Sequence, residues 1–236
     1  MLSWSSVTRK PLPQLTEEGC LAGQLLLRYL VSQILLQTDR NDMPIVHPRI
    51  LEVRAPALNF FVLRDEKGLY VIDGGFIGGW RLLQNALRRE GWQDEPVRGI
   101  VVSHGHLDHI LNVAHLAKAY GAWIAAPRLD ADHLDIASGI QAVHLPGHTA
   151  GHMGFWWGEE KLLLTGDLFV SYRDEARLPL DIFNLDSQQN VRSIETALAL
   201  NPRGVLPNHG SLAAPGEHLR RLKRLHKRVS ASRTGN

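Results

Sequence analysis

Three imidazoles and a carboxylate stand within six residues, His104-Gly-His106-Leu-Asp108-His109, directly after the apolar run Gly99-Ile-Val-Val-Ser103. The run reads as a buried strand, which puts these side chains in the turn that leaves it. Histidine is the commonest nitrogen ligand for zinc, and a turn at a strand end can aim several side chains at one point. Such density points to a metal site rather than to packing. Three more segments repeat the design. Ile140–Leu145 leads into Pro146-Gly-His148-Thr-Ala-Gly-His152, Lys161–Thr165 into Gly166-Asp167, and Arg203–Pro207 into Asn208-His209-Gly210. A glycine beside each candidate lets the backbone turn sharply and approach the site without a Cβ clash.

Together these segments offer imidazoles and carboxylates, with no thiolate. Nitrogen and oxygen donors of this kind suit zinc and also accept iron or manganese. A divalent metal cofactor is therefore expected, zinc first.

From Asp73 in Tyr70-Val-Ile-Asp-Gly-Gly75 to His209, the chain resembles the metallo-β-lactamase-fold hydrolases. That resemblance implies an α/β fold of four layers, an αββα sandwich with the site at one edge. It implies that His104, His106 and His148 bind one metal, that Asp108, His109 and His209 bind a second, and that Asp167 bridges them. Asp73 then stands behind the ligands to orient an imidazole, and His152 supports the site without ligating. Asp108 and Asp167 are the catalytic candidates. Seven ligands shared by two ions leave coordination positions open, the mark of a catalytic site. Two such ions about 3.5–4 Å apart make a bridging hydroxide available near neutral pH and polarise a substrate carbonyl, so the implied chemistry is hydrolysis.

Within that family the site is similar to the glyoxalase II group, which implies a thioester or ester substrate. The segment after the bridge departs from that group's Gly-Arg-Asp pattern, reading Leu168-Phe-Val-Ser-Tyr-Arg-Asp-Glu175, and 27 residues follow His209. A lactonase is the alternative, although Val170 stands where lactonases of bacterial signalling carry tyrosine. An iron persulfide dioxygenase with one metal is the alternative from another class. A β-lactamase is disfavoured by Asp167 and by the lack of an export signal, and a nuclease by the lack of an inserted RNA-binding arm. Tyr172 is a candidate hydrogen-bond donor to substrate.

The elements that must position these residues follow from hydrophobic period and punctuation. Strands are expected over Asn59–Arg64, Leu69–Asp73, Val97–Ser103 and Ala122–Ala126. Helices are expected over Trp80–Glu90, Asn112–Tyr120, Pro127–Leu134 and Ser187–Leu200, with a run of strands to Asp167 and a short strand at Val205–Leu206. A chain of 236 residues, 44% hydrophobic, can bury one substantial core. Its single cysteine, Cys20, allows no intrachain disulfide, and the apolar stretch Leu25–Leu36 is too short and too interrupted to span a bilayer. A cytoplasmic location is expected.

Residues 1–48 read as an extension with an amphipathic helix over Thr16–Gln37, a cover for the core or a homodimer contact, and residues 49–236 as the enzyme domain. Met43 stands just before that domain as an alternative start. The domain ends in a basic helix, Glu217–Arg228. Residues 217–236 carry a net +6, and the remainder of the chain −4. A docked helix with Leu219, Leu222 and Leu225 inward is the plainer reading; capture of an anionic small-molecule substrate by Arg220 and Arg224 is the sharper one. Nucleic acid is not the expected partner.

Overall fold

The computed structural model describes residues 47–55, 58–127, 135–137, 139–211 and 213–231. The helix expected over 16–37 lies outside the described residues, as does nearly all of that expected over 127–134. Five α-helices are described: α1 (Gly79–Arg89), α2 (Leu107–Ile110), α3 (Val113–Tyr120), α4 (Ser187–Ala199) and α5 (Pro215–Ala231).

Strands β1 (Ile50–Ala55), β2 (Leu58–Asp65), β3 (Gly68–Ile72), β4 (Val97–Val101) and β5 (Trp123–Ala125) form one sheet in that order. The first three make an antiparallel meander. β3, β4 and β5 run parallel because α1 and then α3 carry the chain back between them. The second sheet holds β6 (Asp135–Ala137), β7 (Ile140–His144), β8 (Met153–Trp157), β9 (Leu162–Tyr172) and β10 (Glu175–Arg177), each antiparallel to the next. β11 (Gly204–Gly210) returns through α4 and pairs with β9 in parallel.

Alternation along the strands sorts side chains between cores. In β2, Phe61 and Leu63 face the second sheet, whereas Phe60 and Val62 pack toward α1 and α3. Tyr70 and Ile72 of β3 follow the first pair, Leu69 and Val71 the second. On the other sheet Leu162 and Leu164 join the central core, while Leu163 and Val205 lie beneath α4 and α5 with Ile194 and Leu222. Three apolar layers thus separate helix, sheet, sheet and helix, the expected αββα sandwich. Glu52 is an exception to this sorting: it is buried on the Ile50 side of β1, opposite Phe61 in the strand pair. Burial pushes its carboxyl up to about 8, against the pull of Arg54. No helix of the described residues is long and apolar enough to cross a membrane.

Candidate metal centre

The candidate ligands converge at the end of the sandwich where β3 and β4 finish. His104 and His106 follow β4, and Asp108 and His109 lie in α2. Gly74 N–H donates to the His109 carbonyl at 2.6 Å, tying α2 to the turn after β3. The Asn112 amide, just beyond α2, donates to the carbonyls of Gly74, Gly75 and Phe76 at 3.0, 3.0 and 2.7 Å and fixes that turn. His148 sits in the β7–β8 loop, clamped by the start of α4. Asp186 N–H donates to Gly147 O at 2.8 Å, Leu185 N–H to His148 O at 3.1 Å, and Ser193 Oγ to Pro146 O at 2.6 Å. Only glycine fits at 147, where φ is +133° and a Cβ would lie 2.2 Å from the backbone nitrogen of Asn190.

Two placements differ from the strand-end pattern. Asp167 lies in the middle of β9, and His209 lies inside β11 rather than in a turn after it. The two strands keep pairing past the site because register shifts between Leu206 and Pro207, and between Pro207 and His209, bulge the ladder and re-aim the side chains. Gly166 takes φ +55° at this point, and a Cβ there would meet His152 Nε2 at 2.6 Å. Gly105 departs from the expectation, since a Cβ there would enter open space.

His104, His106, His148 and Asp167 form one group that could hold a metal ion, and Asp108, His109 and His209 form another. His106 Nδ1 lies 3.1 Å from His104 Nε2 and 3.0 Å from His148 Nε2. Asp167 Oδ2 lies 3.7 Å from His104 Nε2 and 3.3 Å from His148 Nε2. The same oxygen is 3.4 Å from His109 Nε2 and 3.0 Å from His209 Nε2. Asp108 Oδ2 stands 3.5 Å from His209 Nε2 and 3.9 Å from His109 Nε2. Metal–nitrogen bonds of about 2.0–2.1 Å in a tetrahedral site separate neighbouring donors by about 3.3–3.4 Å, within the spread of these distances. Among the described residues, two buried atoms in the cluster, His109 Nε2 and Asp167 Oδ1, find no hydrogen-bond partner. Buried polar atoms left without partners amid these nitrogens and carboxylates fit a bound cation, and the donor set suits one.

Three of the rings, those of His109, His104 and His148, are held from behind. Asp73 Oδ2 lies 2.9 Å from His109 Nδ1 and accepts from Ser103 Oγ at 2.8 Å and Asn208 Nδ2 at 2.8 Å, while Oδ1 accepts from Ser103 N–H at 2.7 Å. That contact turns the other nitrogen of His109 toward the cluster. Ser103 Oγ lies 3.0 Å from His104 Nδ1, and Asn184 Oδ1 lies 2.9 Å from His148 Nδ1. His152 has both nitrogens occupied: Nδ1 is 2.9 Å from Leu145 O, and Nε2 accepts from Asp167 N–H at 2.9 Å. It therefore fixes the Asp167 backbone. Ser103, Asn184 and Asn208 were not read from sequence, although two of them immediately precede a candidate ligand.

Electrostatics divide the two groups. Burial, reinforced by the neighbouring His109, holds the His104 pKa well below the ordinary value, and burial with His148 lowers that of His106. His152 is pushed down to about 3 by burial and then by His148. Burial also opposes the charged forms of His109 and His209, yet Asp167 outweighs it in both, with Asp73 adding to the effect on His109. Asp167 itself is held well below the carboxylate range: burial favours its neutral form, but His209 and His109 prevail. His104 and His106 are thus favoured as neutral rings, ready to donate lone pairs, whereas His109 and His209 sit in the more negative surroundings.

A cleft of about 290 Å3 opens over His106, Asp108, His148, Asp167 and His209. Tyr172 does not line it; Arg177 and Arg173 stand over the tyrosine ring at 4.5 and 5.4 Å. Arg220 and Arg224 do not line it either, lying on α5 with Glu217.

The model of the metallo-beta-lactamase superfamily matches residues 55–136 and 129–209. A probable metallo-hydrolase of Bacillus subtilis (strain 168) is 23% identical over 195 residues, 71% of this chain and 86% of that protein. A hydroxyacylglutathione hydrolase of Ectopseudomonas mendocina is 33% identical over 90 residues; that match takes in 33% of this chain and only 35% of the relative's length. A solved structure of a protein in a di-iron-bound form aligns with a TM-score of 0.57 at 22% identity, covering 72% of this chain and 97% of that one.

Proposed function

The chain belongs to the metallo-beta-lactamase superfamily as a metal-dependent hydrolase, and we propose that it is a binuclear one that cleaves a thioester or ester. One observation carries this reading: Asp167 Oδ2 lies within 3.0–3.7 Å of four imidazole nitrogens, two from each candidate group. An oxygen shared in this way suits a bridge between two ions. His104, His106 and His148 would hold one, Asp108, His109 and His209 the other. Bound divalent ions would lower the pKa of a water toward neutrality and polarise the substrate carbonyl. The chain's own residues do the positioning. Asp73, Ser103 and Asn184 fix ring orientation, His152 fixes the Asp167 backbone, and the buried setting keeps the cluster from relaxing. In the reaction a water oxygen adds to the acyl carbon, the carbon–sulfur or carbon–oxygen bond breaks, and the leaving thiol or alcohol takes up a proton. The likeness to hydroxyacylglutathione hydrolase supports a thioester, and the di-iron-bound neighbour keeps iron beside zinc and manganese as the metal to test.

Metal content of the purified, metal-replete protein should approach two ions per chain. Chelation should abolish hydrolysis across a panel of thioester, ester, lactone, phosphodiester and β-lactam substrates, and zinc, manganese or iron should restore it. A stoichiometry of one, or oxygen uptake on a persulfide without hydrolysis, would overturn the proposal in favour of the mononuclear oxidative reading.

A further inference from the structure

The cleft joins a polar floor to apolar walls. Those walls are Phe76, Leu107, Val170, Pro179, Leu180 and Phe183, and among the described residues neither lysine nor arginine lines the opening. Leu107 and Leu180 are 59% and 46% exposed, and Ile77, next to Phe76, and Ile182 and Leu185, close to Leu180 in sequence, are also exposed. Single exposed apolar side chains need no explanation, but a group gathered around one opening does. The walls are also held in place. Leu185 N–H bonds the His148 carbonyl, and Asn184 bonds the His148 ring, so the segment after β10 is tied to a candidate ligand. Asp108 lies on the floor as a candidate metal ligand, and Asp181, next to Leu180 in sequence, accepts from Ser187 Oγ at 2.6 Å.

Resting on the hydrolytic reading above, we infer that the acyl arm of the substrate is uncharged and apolar, an alkanoyl or arylalkanoyl group rather than a carboxylated or phosphorylated one. An apolar arm gains by displacing water from these walls. An anionic arm laid along these walls would lose its hydration there, with no lysine or arginine of the described lining to meet it.

Zinc-loaded protein is titrated by calorimetry with alkyl hydroxamic acids from acetyl to decanoyl, and with homologues that end in a carboxylate. Hydrolysis of 4-nitrophenyl esters of the same chains is measured in parallel. Kd should fall about fourfold per methylene until the cleft is filled, and a terminal carboxylate should raise it roughly tenfold against the methyl-terminated homologue of equal length. Leu107→Ser and Leu180→Ser, at exposed positions that do not threaten folding, should flatten the series. A flat series in the unaltered protein, or tighter binding of the carboxylated homologues, overturns the inference whether or not esters are cleaved. A steep hydroxamate series without cleavage of any ester or of the matching thioesters sustains the apolar cleft and overturns the hydrolytic reading instead.

Discussion

The His/Asp cluster and helix α5 both concentrate ionisable side chains, and the fold uses them in opposite ways. In the cluster, side chains from three separate segments turn inward on one buried oxygen of a fourth, Asp167 Oδ2. On α5 the leucines turn inward, with Leu219, Leu222 and Leu225 buried in the outer core. Its arginines serve the neighbouring hairpin. Arg221, itself buried, donates to Ser171 Oγ at 3.1 Å and to Arg173 O at 2.6 Å, Arg224 to Asp174 O at 3.1 Å, and Arg228 to Ala176 O at 2.8 Å. Arg220 bonds Glu217. These cations cap the β9–β10 turn and do not line the cleft over the cluster. Density of charge in a sequence is thus a poor guide to chemistry unless the side chains share a target.

The largest effect that would sharpen this contrast is expected of Asp167→Asn. Removing the shared negative charge should leave at most one ion per chain and lower turnover by about two orders of magnitude or more. Metal analysis and kinetics read both, and a variant that keeps two ions and full activity would remove Asp167 from the centre of the site. Asp73→Asn should act at one remove, weakening the second metal position by about 10–100-fold in affinity while sparing the first, as loss of an orienting partner does. Titration of the metal-free variant checks this; equal weakening of both positions would contradict the role assigned to Asp73. On the helix, Leu222→Ala should cost about 2–5 kcal/mol of stability, because that side chain is fully buried. Arg220→Gln with Arg224→Gln should change stability by no more than about 1 kcal/mol and leave KM for anionic and neutral esters alike. A selective rise in KM for anionic substrates would return the helix to the site.

Much of this was legible because it is local. His104 to His109 lie in one short segment, and hydrophobic alternation announced β2, β3 and β4 within a residue or two of their observed bounds. The glycine-flanked His148 was equally plain. Asp167 and His209 were recognised as residues but misplaced as strand ends, since the bulges that aim them arise only when β9 and β11 pair across some forty residues. Ser103, Asn184 and Asn208 carry no signature of their own. Their significance is a set of contacts, such as Asn208 with Asp73, that exists only after the sheets have packed. The walls of the cleft escaped for the same reason, because Phe76, Leu107 and Leu180 belong to three segments with no shared pattern. Tyr172 and the α5 arginines were singled out by type alone, and type does not fix direction.

Glu52 makes the hydrogen ion a ligand of the folded chain. Its carboxyl titrates at about 8 in the fold against an ordinary 4.5, so the native state binds this proton more tightly than the unfolded chain does. The stabilisation is complete below about pH 4.5 and drains away as pH rises to about 8, opposite in sense to the usual acid weakening of paired carboxylates. Melting temperature plotted against pH should therefore slope downward through the neutral range, and Glu52→Gln, neutral at every pH, should level that slope. An unchanged slope in the variant would assign the proton elsewhere. If the slope levels, this sandwich holds together more firmly in mildly acidic surroundings than in alkaline ones through a group that touches neither metal nor substrate.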